Sequence, residues 1–331
     1  MRDFGTDILK DTNQNKDSIL LRHLRNIKPS DEFISYLVAL KYYEGDKDAV
    51  SKRIDYRIGI EYLGEDSQKL PHVFRLYKKE LFFNRKKPSL IIEEIATALS
   101  SVIYPLEITV DHRGKFTSII NHDQIKKRWP AVKRNILKEY RGDITFKIIK
   151  KFEETIKDHK KLETSLYREI FWSIFYHPVY IGHNEELKKE TSMLFPLEPY
   201  DPLVVYKGAT TISPIITEYN TIQVQFNGQS TIPNKSRFHL EKKEHVITSD
   251  LQIDYDLDQN TRIPNLIHTT CDIYDETDEK EIKAIELLVT RQEGDQYAKS
   301  SFMKKENKQP DRVKVKPKKR DWFFGFKKKQ V

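Results

Sequence analysis

Three groups of acidic and imidazole side chains in this chain have spacings at which chemistry is conceivable. Asp111-His112 and His122-Asp123 flank one short segment. If they met in space, imidazole and carboxylate donors would converge as a hydrolytic metal ion requires. Asp272, Asp275, Glu276, Asp278 and Glu279 lead into Glu281-Ile282-Lys283. A carboxylate pair followed by Glu-x-Lys is an arrangement suited to a metal-dependent nuclease or phosphoesterase. Asp250, Asp254, Asp256 and Asp258 form a third row that could hold a cation. Each has a plainer account. Asp111, Asn121 and Asp123 are turn and cap residues by type. The third row alternates with Leu251, Ile253, Tyr255 and Leu257, which puts its carboxylates on the wet face of a strand. Glu-x-Lys is a short element in a chain rich in both residues.

No other motif supplies a reactive centre. The 11 glycines are scattered, without a phosphate loop or dinucleotide fingerprint, and neither His-Glu-x-x-His nor Gly-x-Ser-x-Gly occurs. The single cysteine, Cys271, shares a strand face with Ile267, Thr269 and Ile273 and reads as a small core residue. No catalytic residue, metal or cofactor is therefore expected, and the chain reads as a non-enzyme.

Binding is better represented than catalysis. Trp129, Tyr140, Trp172 and Tyr176 recur through a helical stretch and could line a pocket for an apolar small molecule, although helical spacing also suits plain core packing. Near the C-terminus, Lys318, Lys319 and Arg320 precede Trp322, Phe323, Phe324 and Phe326, and Lys327 and Lys328 follow. Basic residues on both sides of clustered rings suit an anionic membrane surface or a partner protein, and suit nucleic acid less well. The charge distribution agrees. The net charge is +8, yet residues 299–331 hold 13 Lys and Arg against three acids, which leaves 45 basic and 47 acidic residues before them. A nearly neutral body has no broad basic face to offer a nucleic acid.

The elements that must position these residues follow from periodicity. Ser30 is a candidate cap for a helix carrying Phe33, Tyr36, Leu37 and Leu40. Alternation from Ile54 to Tyr62 predicts a strand, Val73–Phe83 another, and Leu90–Val102 a helix. Leu106–Val110 and Lys115–Ile120 form a hairpin around Gly114. Ile125, Trp129, Val132, Ile136 and Tyr140 mark a helix that Gly142 ends, with Trp129 anchoring hairpin to helices. A second helix carries Ile149, Phe152 and Ile156, and a third Leu162, Leu166, Ile170 and Ile174. A proline-marked crossing with a short helix near 185–193 leads to five strands, at 221–227, 238–248, 251–257, 266–274 and 282–291.

The segments Val110–Phe116 and Ile119–Trp129 resemble uncharacterised proteins of Bacteroidota that carry a similar strand, hairpin and Trp-containing helix. The resemblance covers about residues 100–180, implies a bacterial, non-enzymatic protein, and brings no site with it.

The fold class expected is α+β, a large curved antiparallel sheet with a central helical block packed on one face. Residues 1–17 are expected as a loose arm, 18–298 as the body, with a division near 202 as the alternative, and 299–331 as a disordered basic-aromatic tail. No apolar run approaches the roughly 18 residues of a membrane span, and no signal-peptide core is present, so the chain is placed in the cytoplasm. The leading functional expectation is a scaffold that tethers a partner or surface through its tail. The alternatives are a carrier of an apolar small molecule within the sheet and a metal-dependent nuclease.

Overall fold

The computed structural model describes residues 26–45, 49–65, 71–179, 187–198, 201–233, 236, 238 and 244–303. Eleven strands form one antiparallel sheet: β1 (Ile34–Glu44), β2 (Val50–Glu65), β3 (His72–Phe83), β4 (Leu106–Val110), β5 (Phe116–Ile119), β6 (Lys188–Phe195), β7 (Val204–Ile212), β8 (Thr221–Thr231), β9 (Ile247–Asp258), β10 (Pro264–Asp275) and β11 (Lys280–Gln292). Their order is β5-β4-β3-β2-β1-β11-β10-β9-β8-β7-β6. The chain starts beside the middle of the sheet and walks outward to β5. It then crosses to the opposite edge and walks back from β6, so that β11 pairs with β1.

The crossing is helical. It carries α2 (His122–Glu139), α3 (Asp143–Lys157), α4 (His159–Tyr167) and α5 (Ile170–Phe175), while α1 (Ile91–Ile103) joins β3 to β4 and packs on α2. A flat sheet of eleven strands would be roughly 48 Å wide, and six helical residues span about 9 Å. Yet α5 touches both ends of the sheet. Trp172 meets Phe116 of edge strand β5 at 5.6 Å between ring centroids, and α5 also packs on edge strand β6. Between them, Phe171 meets Tyr56 of β2, Phe175 meets Tyr36 of β1, and Tyr255 of β9 donates its hydroxyl to the Ile174 carbonyl at 3.1 Å. The sheet must therefore wrap around α5, although its two edge strands do not pair with each other.

The free edges are finished differently. On β5, Glu163 of α4 accepts the Ile119 amide at 3.0 Å and the Ser118 hydroxyl at 2.8 Å, and Tyr167 donates to the Phe116 carbonyl at 2.6 Å. Those side chains take the place of a further strand. On β6, Lys188, Lys189 and Glu190 put charge along the edge, which disfavours pairing with another chain.

Several expectations require correction. The helix proposed from Ser30 is strand β1. It lies in the middle of the sheet, where Ser35 and Ala39 on its outer side are buried along with Tyr36 and Val38 on its inner side, so the period-two signal is lost. The short helix near 185–193 is strand β6 over its described part, and β7 was hidden among prolines. Of the strand expected at 238–248, residues 239–243 lie outside the described residues, 244–246 are not strand, and 247–248 open β9, which also takes in the strand expected at 251–257. The third helix divides at Arg168-Glu169, where Glu169 adopts extended backbone and redirects α5 into the sheet. Pro130 does not break α2, and Gly142, at φ +132°, separates α2 from α3.

The folded part also runs past residue 298. A short helix, α6 (Lys299–Met303), clamps on the outer face: Phe302 packs on Phe33, and Arg57 lies over the rings of Tyr297 and Phe302. Gly59 beneath them has no room for a side chain, since a Cβ there would sit 2.4 Å from the Phe33 ring. Residues 1–25 and 304–331, which include the expected arm and every basic and aromatic residue singled out in the tail, lie outside the described residues.

Trp129 is buried, packs against Phe152 of α3 at 4.9 Å and donates to Glu153 at 2.9 Å, so it fastens α2 to α3. Trp129→Ala should lower unfolding free energy by about 3–5 kcal/mol in urea denaturation. Glu163→Ala, which strips the cap from β5, should cost about 1–3 kcal/mol in the same measurement.

Candidate ligand site inside the curved sheet

The inner face of the sheet is made from alternate residues: Tyr36 and Val38 of β1, Ile58 and Ile60 of β2, Ile253 and Tyr255 of β9, and Ile267, Cys271 and Ile273 of β10 are all buried. Into this concavity α5 sends Ile170, Phe171, Trp172 and Ile174 at once. A helix buried on every side carries no amphipathic period, because it meets sheet all round. Trp172 is 1% exposed and stacks on Tyr176 at 5.1 Å.

Beyond the end of α5, an apolar cavity of about 40 Å³ opens between Ile60, Phe74, Val110, Tyr176, Val179 and Ile263, with His177 at its wall. Around α5, three buried polar atoms have no hydrogen-bond partner among the described residues: Trp172 Nε1, Tyr176 Oη and Tyr104 Oη. The Trp172 N–H lies toward the Tyr104 hydroxyl without reaching hydrogen-bond geometry. Burial, first of all, raises both phenols well above the ordinary tyrosine value. Leaving a polar group buried and unpaired costs about 1–3 kcal/mol, so these atoms are placed to meet something polar. Lys78 closes this part of the interior, 4.1 Å from the centre of the Tyr56 ring and 3.7 Å from Glu169.

Of the four aromatic residues singled out in the sequence, the structure brings Trp172 and Tyr176 together here. Trp129 lies between α2 and α3, and Tyr140 donates its hydroxyl to Glu94 of α1 in the outer helical layer. Tyr104 was missed. It lies just outside α1 beside Pro105, and nothing local in the sequence marks it as facing the concavity.

The acidic and imidazole groups singled out in the sequence are spread over separate places among the described residues. Asp111 Oδ1 accepts the backbone amides of Arg113 and Lys115, a hairpin turn. The His122 ring stacks on His159 and donates to the Ile156 carbonyl at 2.7 Å, while Asp123 pairs with Lys126. Alternation on β10 puts Asp272 on the face opposite Ile273, whose partner across the ladder is Lys283. Lys283 turns inward to Glu198 and the Tyr42 ring, while the register shift beside it pairs Glu281 with Tyr274 on the face of Asp272, so Glu281 and Lys283 are split between the two faces and the Glu-x-Lys element does not act as one unit. The row Asp250, Asp254, Asp256 and Asp258 lies on the outer face, as the alternation required. Asp254 and Asp256 border a polar groove there of about 570 Å³ with Gln223, Gln225 and His268, and Asp254 accepts amide hydrogens from Gln225 and Gln252.

One donor set did arise that sequence spacing hid. His245 Nδ1 lies 2.8 Å from Asp275 and 3.8 Å from Asp278. Thirty residues separate His245 from Asp275, and strand pairing alone joins them. Asp275 is fully buried and also accepts the Thr277 and Asp278 amides, so the group closes the β10–β11 turn.

His177 generates a pH dependence. Burial, and to a lesser degree nearby Lys115, lower its pKa from 6.5 to about 4. The unfolded chain then binds more protons than the folded one between those values, so this contribution to stability is present above pH 6.5 and is lost as pH falls toward 4. The loss should reach about 3 kcal/mol. Thermal unfolding of the His177→Leu variant from pH 7 to pH 4 should show a shallower decline than the parent, which isolates His177 from His72, lowered by burial in the same direction.

No family model matches the chain, and no curated protein matches it. Among solved structures it is similar to lipovitellin, in a structure described as "lipid-protein interactions in lipovitellin". The identity is 9% and the TM-score 0.46, over 80% of this chain and 25% of that one. It is also similar to a LolA superfamily protein from Nitrosomonas europaea, with 10% identity and a TM-score of 0.22, over 86% of this chain and 98% of that one. The chain thus spans a quarter of the lipovitellin chain. At these values neither likeness fixes a family.

Proposed function

We propose that this protein binds an apolar small molecule with one polar end inside the curved sheet, at the site now plugged by α5. The observation that carries this reading is the set of unpaired polar atoms, Trp172 Nε1, Tyr176 Oη and Tyr104 Oη, buried beside an apolar cavity in a sheet whose edges do not close. A ligand's polar end would pair with those groups. Its apolar body would lie along Ile60, Phe74, Val110 and Ile263. The free space of about 40 Å³ takes only a small group, so entry displaces the end of α5 and the turn from Tyr176 to Val179. Tethering through the basic-aromatic segment at 318–328 remains compatible with carrying such a cargo, since it uses different residues.

Native mass spectrometry of the freshly purified full chain, followed by titration with a fluorescent long-chain fatty acid, tests the reading. A bound small molecule, or saturable binding with one ligand per chain, is expected. Val179→Trp should fill the entrance and abolish binding. Trp172→Phe and Tyr176→Phe should each weaken it up to about tenfold, the worth of one hydrogen bond. Absence of both bound mass and saturable binding in the parent chain, or unchanged affinity in Val179→Trp, would sink the idea.

A further inference from the structure

Strands β8, β9 and β10 hold six aspartates and neither Lys nor Arg. Asp275 is turned to His245, and the other five, Asp250, Asp254, Asp256, Asp258 and Asp272, stand on the outer face of the sheet. Asp272 lies directly opposite Asp250 across the β9–β10 ladder, and like charges so placed repel. The cations around this field are largely taken. Lys41 is held by Glu286 at 2.8 Å, Arg291 by Glu32 at 2.9 Å, Lys188 by Glu190 at 3.7 Å, and Arg53 and Arg57 by Asp55 and Glu80. Lys207 of β7 and His268 of β10 also flank it, and the face remains acidic on balance.

The polar groove of about 570 Å³ lies in this face, and beside Asp254 and Asp256 it is lined by Leu266 and Leu288. The ladder pairing shows what adjoins it. Leu266 stands opposite Thr290, Thr290 opposite Leu37, and Leu37 opposite Arg57 of β2. Leu37 is 41% exposed, and Arg57 lies against the rings of Tyr297 and Phe302 in the last described segment of the chain. The described chain therefore stops at residue 303 on the same face and cross-strand row as the groove. Asp256 is four strand spacings from Arg57, about 19 Å. The ten residues 304–313 span up to about 35 Å, so the chain from Lys314 onward has the reach to lie there.

The chemistry of that stretch is complementary. Residues 314–329 hold eight Lys and Arg against one acid, Asp321, with Trp322, Phe323, Phe324 and Phe326 among them. Cations beside rings match aspartates beside leucines, whereas a nucleic acid or an acidic lipid surface would be repelled by this face. A short tether gives an effective concentration on the order of millimolar, so ion pairs that are weak singly can hold the segment together.

We propose that the outer face of β8–β11 is a docking surface for the chain's own segment 314–329. Its lysines and Arg320 meet Asp250, Asp254, Asp256 and Asp272, and its rings lie on Leu266, Leu288 and Leu37. The assignment does not rest on the ligand site inside the sheet. A segment docked here is withheld from any outside anionic surface, so the two contacts exclude each other.

Carbodiimide coupling of the full chain, which joins carboxylates only to amines in contact with them, tests the proposal when the monomer is digested and its linked peptides are weighed. Links from lysines of 314–329 to the outer-face aspartates are expected at low salt. They should disappear in about 1 M salt, where the screening length falls to about 3 Å. Limited trypsin cleavage within 314–329 should run about threefold faster or more in Asp254→Asn/Asp256→Asn. That variant removes like charges from a half-exposed face and should keep the parent's melting temperature. Glu139→Gln/Glu154→Gln takes the same charge from exposed positions of the helical layer and should leave cleavage unchanged. Three results would overturn the proposal. Links absent, or made mainly to other carboxylates, would place the segment elsewhere. Links confined to dimers would assign the face to a second copy. Cleavage unchanged in Asp254→Asn/Asp256→Asn, or equally accelerated in both variants, would leave no specific contact.

Discussion

The connection from β5 to β6 imposes the governing constraint on this fold, because those two strands are the opposite edges of an eleven-stranded sheet. A connection between edges can run around the sheet or across one of its faces. Here it crosses the inner face, and the last helix of the crossing, α5, is buried on every side. The sheet gains a core by bending round α5, and α5 gains burial from strands at both edges. Neither is stable in this form alone: an open sheet of this width would expose its apolar inner face, and a six-residue helix is too short to persist unsupported in water.

The same constraint explains why polar atoms are stranded inside. A plug made from Phe171, Trp172, Phe175 and Tyr176 supplies much apolar area, at roughly 25 cal/mol per Å² buried, but its Trp and Tyr carry donors that an apolar wall cannot meet. Tyr36 and Tyr255 solve the problem by donating to the Pro264 and Ile174 carbonyls. Farther along the inner face, Tyr206, Ser249 and Cys271 solve it with one another, and burial pushes the Cys271 thiol up to about 12, so it acts as a packing residue. Trp172, Tyr176 and Tyr104 have no such partner among the described residues, and they cluster around α5.

The outside of the molecule divides by charge and by element. The outer face of β8–β10 is acidic and wet, with Asp254 and Asp256 beside glutamines. Part of the outer face of β1–β3 is covered by the segment 295–303, held by tilted ring contacts of Phe302 with Phe33 and Tyr77 and by Lys299 against Glu61. Large aliphatic side chains are left in water both in the helical layer, at Ile91, Ile92 and Ile144, and around strands β6 to β8, at Leu194, Val205 and Ile215.

The sequence by itself determined the α+β class, the hairpin with Gly114 at φ +79°, and strands whose inner and outer residues differ in polarity, such as β2, β9 and β10. Each of these is local: a two-residue or three-to-four-residue period, or a turn that needs glycine, is set by neighbours in the chain. It also placed Cys271 in the core and the aspartates of β9 on the wet face for the same reason. The tertiary structure alone decided that β1 is a strand, since its central position lets apolar Leu37 and Ala39 stand on the outer side opposite Tyr36 and Val38 on the inner side, which erases the alternation. It decided that Ile170 and Ile174 leave the third helix to plug the sheet. It brought Tyr104 to Trp172 and His245 to Asp275, and it sent Asp272 and Lys283 to opposite faces. Those outcomes depend on which residues face each other across pairings tens of residues apart, and periodicity along the chain holds no record of them.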